Sequence, residues 1–316
     1  MIVDNLSYEW IFWLGLIVIA IAAVATYLFV PESPVKTPAR IDWAGAALLS
    51  GALGSLLLGV SQGNEWGWGS ARVLGLFVAA AVFAVQWVRF ELRVSEPLVD
   101  MRMMRRRAVW TTNLTGLLLG FGMFGSFILI PQLVQLPEST GFGFGASVTQ
   151  AGLFLIPSSV VMLFAGPVAG TLAGRLGSRF PLLIGTFTAS ASFALLAIAH
   201  TEAWEIYLAS ALMGVGIGLS FASMANLIVE AVPQTQTGVA TGMNTIMRTI
   251  GGSIGGSIAA SIVAAHLLGG LPRESGFTEA FAISSVAVFV AFLAALAIPR
   301  RERAASHAGT LSPART

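Results

Sequence analysis

Six polar side chains stand inside stretches that are otherwise apolar: Asn113, Gln132, Gln150, Asn226, Asn244 and Arg248, with Glu230 at the end of another. Amides and a guanidinium can bind and orient a solute, line a gate, or tie helices together. They supply no nucleophile. No GxSxG, HExxH, Walker loop or in-span carboxylate pair accompanies them. His200 and His266 fall in loops or at span ends, His307 falls in the tail, and cysteine is absent, which excludes a thiolate metal site. The pattern points away from an enzyme and calls for no metal and no cofactor.

These residues need elements to hold them, and the composition says what kind. Of 316 residues, 56% are hydrophobic and only 10% are charged, against about 25% charged in an ordinary soluble domain. The mean hydropathy is +0.82. A soluble enzyme and a disordered chain are both excluded, and a net charge of +2 is no nucleic-acid signature. A bilayer core takes about 20 apolar residues per helix. Stretches of that kind run near 10–29, 43–60, 73–88, 112–134, 148–172, 181–199, 206–229, 241–265 and 280–298. The alternation and turn residues of a membrane barrel are absent, so the spans are read as helices, the form that pairs its whole backbone inside lipid. The fold class expected is an all-α integral membrane protein of about nine transmembrane helices. All eight tryptophans (Trp10, Trp13, Trp43, Trp66, Trp68, Trp87, Trp110 and Trp204) fall at span ends or in adjoining loops, as an interfacial belt would place them.

Basic residues orient the array. One set of loops and tails holds Lys36, Arg40, Arg89, Arg93, Arg102, Arg105, Arg106, Arg107, Arg175, Arg179, Arg300, Arg301, Arg303 and Arg315, while the opposite set holds Arg72 and Arg273. This asymmetry puts the N-terminus outside and the C-terminus in the cytoplasm. No cleaved signal is visible, since the first nine residues carry Asp4 and Glu9 and no base. Residues 89–111, with Pro97 and the Arg105-Arg106-Arg107 run, form the main hydrophilic boundary. Residues 299–316 read as a polar, disordered cytoplasmic tail.

Small residues crowd the later spans. Gly166, Gly170 and Gly174 recur every four residues, as do Gly251 with Gly255 and Gly252 with Gly256, and such spacing gives one helix face where backbones can approach. Static packing and a surface that slides or rocks both fit. Gly214, Gly216 and Gly218 lie mid-span, so packing fits them better than a nucleotide loop. Pro157 and Pro167 interrupt the fifth span and Pro131 the fourth, and each frees a backbone carbonyl that can kink or hinge the helix. A charge at the bilayer centre costs about 2.5–3.5 kcal/mol on insertion scales. Arg248 therefore either snorkels to the cytoplasm or lines a path or gate.

The run Gly170-Thr-Leu-Ala-Gly174-Arg175-Leu-Gly177-Ser-Arg179 resembles the cytoplasmic G-x-x-x-D-R-x-G-x-R loop motif of the major facilitator superfamily. GVGIGLSF at 214–221 and VPQTQTGVATGMNTIMRTIGGSIGGSIAASIV at 232–263 are similar to the matching region of that family's fourteen-span drug:proton antiporter branch, and the opening SYEWIFWLGLIVIAIAAVATYLFVPES to its sixth span. The resemblance reaches from about Val3 to Ile298. It implies residues 1–30 as the last span of an N-terminal bundle, 31–88 as two extra linker spans, 89–111 as a basic cytoplasmic loop, and 112–298 as a complete C-terminal six-helix bundle. It also implies a multi-pass protein of the bacterial plasma membrane, an amphipathic small-molecule substrate and protons as the coupling ion. The motif's acidic position is Gly174 here, which removes any charge relay through that carboxylate. The family's first five spans have no counterpart, so the resemblance implies an N-terminally truncated fragment. A half-transporter acting with a partner chain, and a non-transporting interaction or regulatory protein, are the other readings.

Overall fold

The computed structural model describes residues 9–31, 42–94, 97 and 99–299. Lys36, Arg40, Arg300, Arg301, Arg303, Arg315, His307, Asp4 and the tail beyond Pro299 lie outside the described residues. Within them stand α1 (Glu9–Phe29), α2 (Trp43–Trp66), α3 (Ala71–Glu91), a short α4 (Met101–Met104), α5 (Arg107–Val134), α6 (Val148–Leu176), α7 (Arg179–Ile198), α8 (Ala203–Ala231), α9 (Thr237–Ala265) and α10 (Glu274–Leu296). A two-residue hairpin, β1 (Leu267–Leu268) with β2 (Leu271–Pro272), joins α9 to α10. Among the described residues, nine helices are long and apolar enough to cross a membrane, and they coincide with the nine predicted stretches. Most run a turn or so further than the apolar windows, because caps and polar first turns extend a helix beyond the hydrocarbon without breaking its ladder. Ser147 with Gln150, and Glu202 with Glu205, close capping boxes at α6 and α8.

Helices α5–α10 form a bundle: α5 packs on α9 and α10, α8 on α6 and α7, and α7 on α10. Its core gathers Leu119, Phe193, Met213, Phe277 and Phe281, each under 2% exposed. Glycines set the approach of the backbones. A Cβ on Gly251 would lie 1.8 Å from the Leu117 carbonyl oxygen, one on Gly255 2.1 Å from that of Phe121, and one on Gly120 2.2 Å from that of Arg248. Gly214 meets the Ser158 carbonyl oxygen in the same way across α8 and α6. In lipid, where apolar side chains gain little by leaving the solvent, close backbone contact of this kind is a main source of helix association.

The α2–α3 hairpin docks on α9. At one end Trp87 packs with Val99 and Met243, and Glu91, only 3% exposed, accepts from the Trp87 indole N–H at 2.9 Å and the Val99 backbone N–H at 3.2 Å. At the other, the Asn64 amide reaches the Ser257 carbonyl at 3.4 Å and its carbonyl accepts from the Ser261 hydroxyl. Trp87, expected in the interfacial belt, is therefore buried at 7% exposure, because its ring fills the joint where the hairpin meets α9. Much of 89–111, read as a hydrophilic loop, is folded: Asp100 caps α4 by accepting from the backbone N–H groups of Arg102 and Met103. Burial alone would raise the Asp100 pKa, but those hydrogen bonds, the Gln236 amide and the nearby Arg102 outweigh it and hold it below the usual carboxylate range. The apolar window of α1 has no buried residue.

Gly251→Leu should cost at least about 1–3 kcal/mol, the range for overpacking, since its side chain would have to displace the Leu117 backbone. Gly170→Ala, where nothing stands within 4 Å, should be neutral or stabilising by up to about 1 kcal/mol. Thermal unfolding of the two variants in detergent separates these outcomes.

Candidate functional site

The polar residues of the spanning helices converge in part. Asn113 and Asn244 stand two turns into α5 and α9 and are 4% and 5% exposed. The Asn244 amide donates to the Asn113 carbonyl oxygen at 3.1 Å and to the Thr112 backbone carbonyl at 3.3 Å. Gly116 makes the room: a Cβ there would fall 2.9 Å from the Asn244 Nδ2. One turn further along α9, Arg248 donates to the Thr245 hydroxyl at 3.1 Å, and its guanidinium lies 4.1 Å from the centroid of the Phe221 ring on α8. That places a cation over the π face of an aromatic, an attraction that strengthens as water is excluded. Arg248 lies eleven residues, or about 16 Å, from the start of α9. No carboxylate pairs with it among the described residues.

The remaining candidates sit apart. Gln132 is exposed one residue beyond Pro131, and Asn226 is exposed on α8. Gln150 accepts from the Ser147 backbone N–H at 2.8 Å as the third residue of α6, a capping position that a reading by hydropathy cannot distinguish from a span interior. Gly166, Gly170 and Gly174 lie on an exposed face of α6 with nothing within 4 Å, whereas Gly251, Gly252, Gly255 and Gly256 all turn toward α5. Four-residue spacing defines a face but not what the face meets. α6 continues unbroken through Pro157 and Pro167.

The loop after α6 is held at both sides. Gly177, at φ +86°, ends the helix in the left-handed region where only glycine is unstrained. Ser178 donates to Glu230 at 2.8 Å, which ties the loop to the end of α8. Arg179 donates to the Ala295 carbonyl at 3.3 Å and to that of Leu296, and Arg106 donates to the Ala231 carbonyl at 2.8 Å. Arg175 lies in the last turn of α6. Arginines thus satisfy terminal carbonyls of α10 and α8, where the helix dipole also favours positive charge. No motif or spacing in the sequence marks Phe221, Thr112 or Glu91. An aromatic on one helix that receives a cation from another 27 positions away leaves no local signal.

Known proteins resemble the chain in sequence and in fold. The family model of the Major Facilitator Superfamily matches residues 1–256. The chain is 27% identical over 241 residues to the multidrug transporter protein MdtP of Bacillus subtilis, covering 75% of this chain and 43% of that one. It is 34% identical over 205 residues to the tetracycline resistance determinant of Streptomyces rimosus, covering 63% and 57%. The chain spans less than half the length of the first curated relatives it matches. Among solved structures, the nucleoside transporter NupG superposes with a TM-score of 0.51 at 15% identity, over 77% of this chain and 64% of that one, a likeness of fold alone. The nine helices of spanning length among the described residues, with bacterial relatives of this kind, describe a multi-pass protein of the bacterial inner membrane. With a family match over most of its length, the chain belongs to the Major Facilitator Superfamily.

Proposed function

We propose that the chain forms one wall of a secondary transporter that exports amphipathic small molecules, drugs among them, in exchange for protons. The carrying observation is Arg248, a cation well inside a spanning helix that rests on Phe221 and has no carboxylate partner among the described residues. Such a charge tends to face a cavity or a moving partner. The relatives named for multidrug and tetracycline resistance support a drug-like substrate. Alternating access rocks one bundle against another. The open face of α6 at Gly166, Gly170 and Gly174 suits the approach of a second bundle, on the same or another polypeptide. In this reading the end carrying Arg102, Arg105, Arg106, Arg107, Arg175 and Arg179 is cytoplasmic. Asn113, Asn244 and Arg248 line the path near it, and Gln132 and Asn226 lie toward its margins.

That same open face supports a second reading, in which the chain docks another membrane protein and transports nothing itself. Ethidium uptake into everted vesicles of the native host, driven by a proton gradient, separates the two. Arg248→Ala is expected to lower the rate at least about tenfold and Arg248→Lys to restore part of it. Unchanged uptake and coupling would remove Arg248 from the path, and no gradient-driven uptake with the native chain would favour the docking role.

Orientation has its own test, because the sequence has no cysteine of its own. Thr201→Cys should react with an impermeant maleimide from outside intact cells, and Arg105→Cys only after permeabilisation. The opposite pattern inverts the assignment.

A further inference from the structure

At the end of the bundle where α7 and α9 finish and α10 begins, two histidines repeat one geometry. His200 is 3% exposed; its Nδ1 lies 2.7 Å from the Leu196 carbonyl oxygen and its Nε2 3.4 Å from the Glu274 Oε1. His266 Nδ1 lies 2.9 Å from the Ile262 carbonyl oxygen and its Nε2 3.4 Å from the Glu279 Oε2. Each ring is thus anchored to the carbonyl four residues back and faces a carboxylate in the first two turns of α10.

Chemistry fixes the tautomer. A carbonyl only accepts, so Nδ1 carries the hydrogen and the neutral ring turns a bare Nε2 lone pair toward a carboxylate. Two acceptors then face each other. Consistent with this, His200 Nε2 is buried without a hydrogen-bond partner. A proton on Nε2 converts each contact into a charge-assisted hydrogen bond. Glu274 and Glu279 are five residues apart, about 140° around the α10 axis, so the two contacts grip the helix from different sides.

Charged residues on this end of the bundle are Glu138 after α5, Glu202 and Glu205 at the start of α8, and Arg273, Glu274 and Glu279 at α10. The α2–α3 turn adds Glu65 and Arg72, the latter over the Trp66 ring. Glu205 is engaged by the backbone N–H groups of Thr201 and Glu202. The Arg273 backbone N–H donates to the His266 carbonyl. Beside the His200 ring, α10 also presents the uncharged Phe281.

We propose that His200–Glu274 and His266–Glu279 are two proton-binding clamps: each imidazole Nε2 takes a proton from water, and the resulting bonds fasten the start of α10 to the ends of α7 and α9. The proposal stands independently of transport. Hydrogen–deuterium exchange of the purified chain in lipid nanodiscs tests it. Between about pH 8 and about pH 5, after correction for intrinsic exchange, the start of α10 should gain at least about tenfold protection. In the double variant Glu274→Gln, Glu279→Gln, at side chains half exposed and so tolerant of change, that gain should vanish while the α5–α9 seam keeps its protection. An undiminished gain in the variant, or none in the native chain, overturns the proposal. So does an imidazole nitrogen spectrum at the higher pH showing both rings as the Nε2–H tautomer.

Discussion

The contact on which the bundle depends is between backbones. Inside a bilayer, helices gain little by hiding apolar side chains from one another, so association falls to close packing and to the few polar groups that find partners. α5 and α9 meet both needs along one line. The Asn113–Asn244 pair lies at its start, the Arg248 carbonyl sits against Gly120, and Gly251 and Gly255 then rest on the Leu117 and Phe121 carbonyls. With that line in place, α9 presents a second side to the α2–α3 hairpin, and α5 holds α10. Any side chain at those glycines would separate the two helices and expose every contact built on them.

The nine spans were readable in the sequence because length and hydropathy are local properties that lipid enforces strictly. The family was readable for a different reason, since a loop motif with a glycine cap and two arginines survives as a string. Partners were harder to read. The glycines of α6 and α9 share one spacing, yet one set faces open space and the other a carbonyl ladder, and only the tertiary arrangement distinguishes them. Trp87 and Trp110 look alike at the ends of apolar stretches, but 7% and 47% exposure separate a wedge in a joint from a surface ring. Glu91 read as part of a solvated loop and lies buried beneath the hairpin joint. Gln150 read as an in-span amide and serves as a cap, because hydropathy averages do not register helix starts.

The basic end of the molecule shows how one residue type meets two demands. Arginine distribution orients a membrane chain during insertion. Arg106 and Arg179 also donate to backbone carbonyls in the last turns of α8 and α10, where the intrahelical ladder runs out of donors. The opposite end relies on acidic caps such as Glu202 and Glu205, whose charge suits helix N-termini. Charge asymmetry and helix capping thus coincide, because every second helix ends on the same side.

The carbonyl ladder also limits how α5 and α9 can move. Gly251 and Gly255 fit against oxygens one helical turn apart. A shift of α9 by a single residue would bring Ile250 and Ile254, or Gly252 and Gly256 with Ser253 behind them, onto a line cut for the present set. The Gly252–Gly256 pair would also have to turn about 100° to reach that line; the same face recurs only after four residues, about 6 Å of travel, and there Met247 or Ala259 would occupy one of the two positions. Translation along the seam therefore has no smooth route, and the two helices behave as a single beam. Larger rearrangement must pivot about this beam or occur where the packing is looser, on the uncovered side of α6.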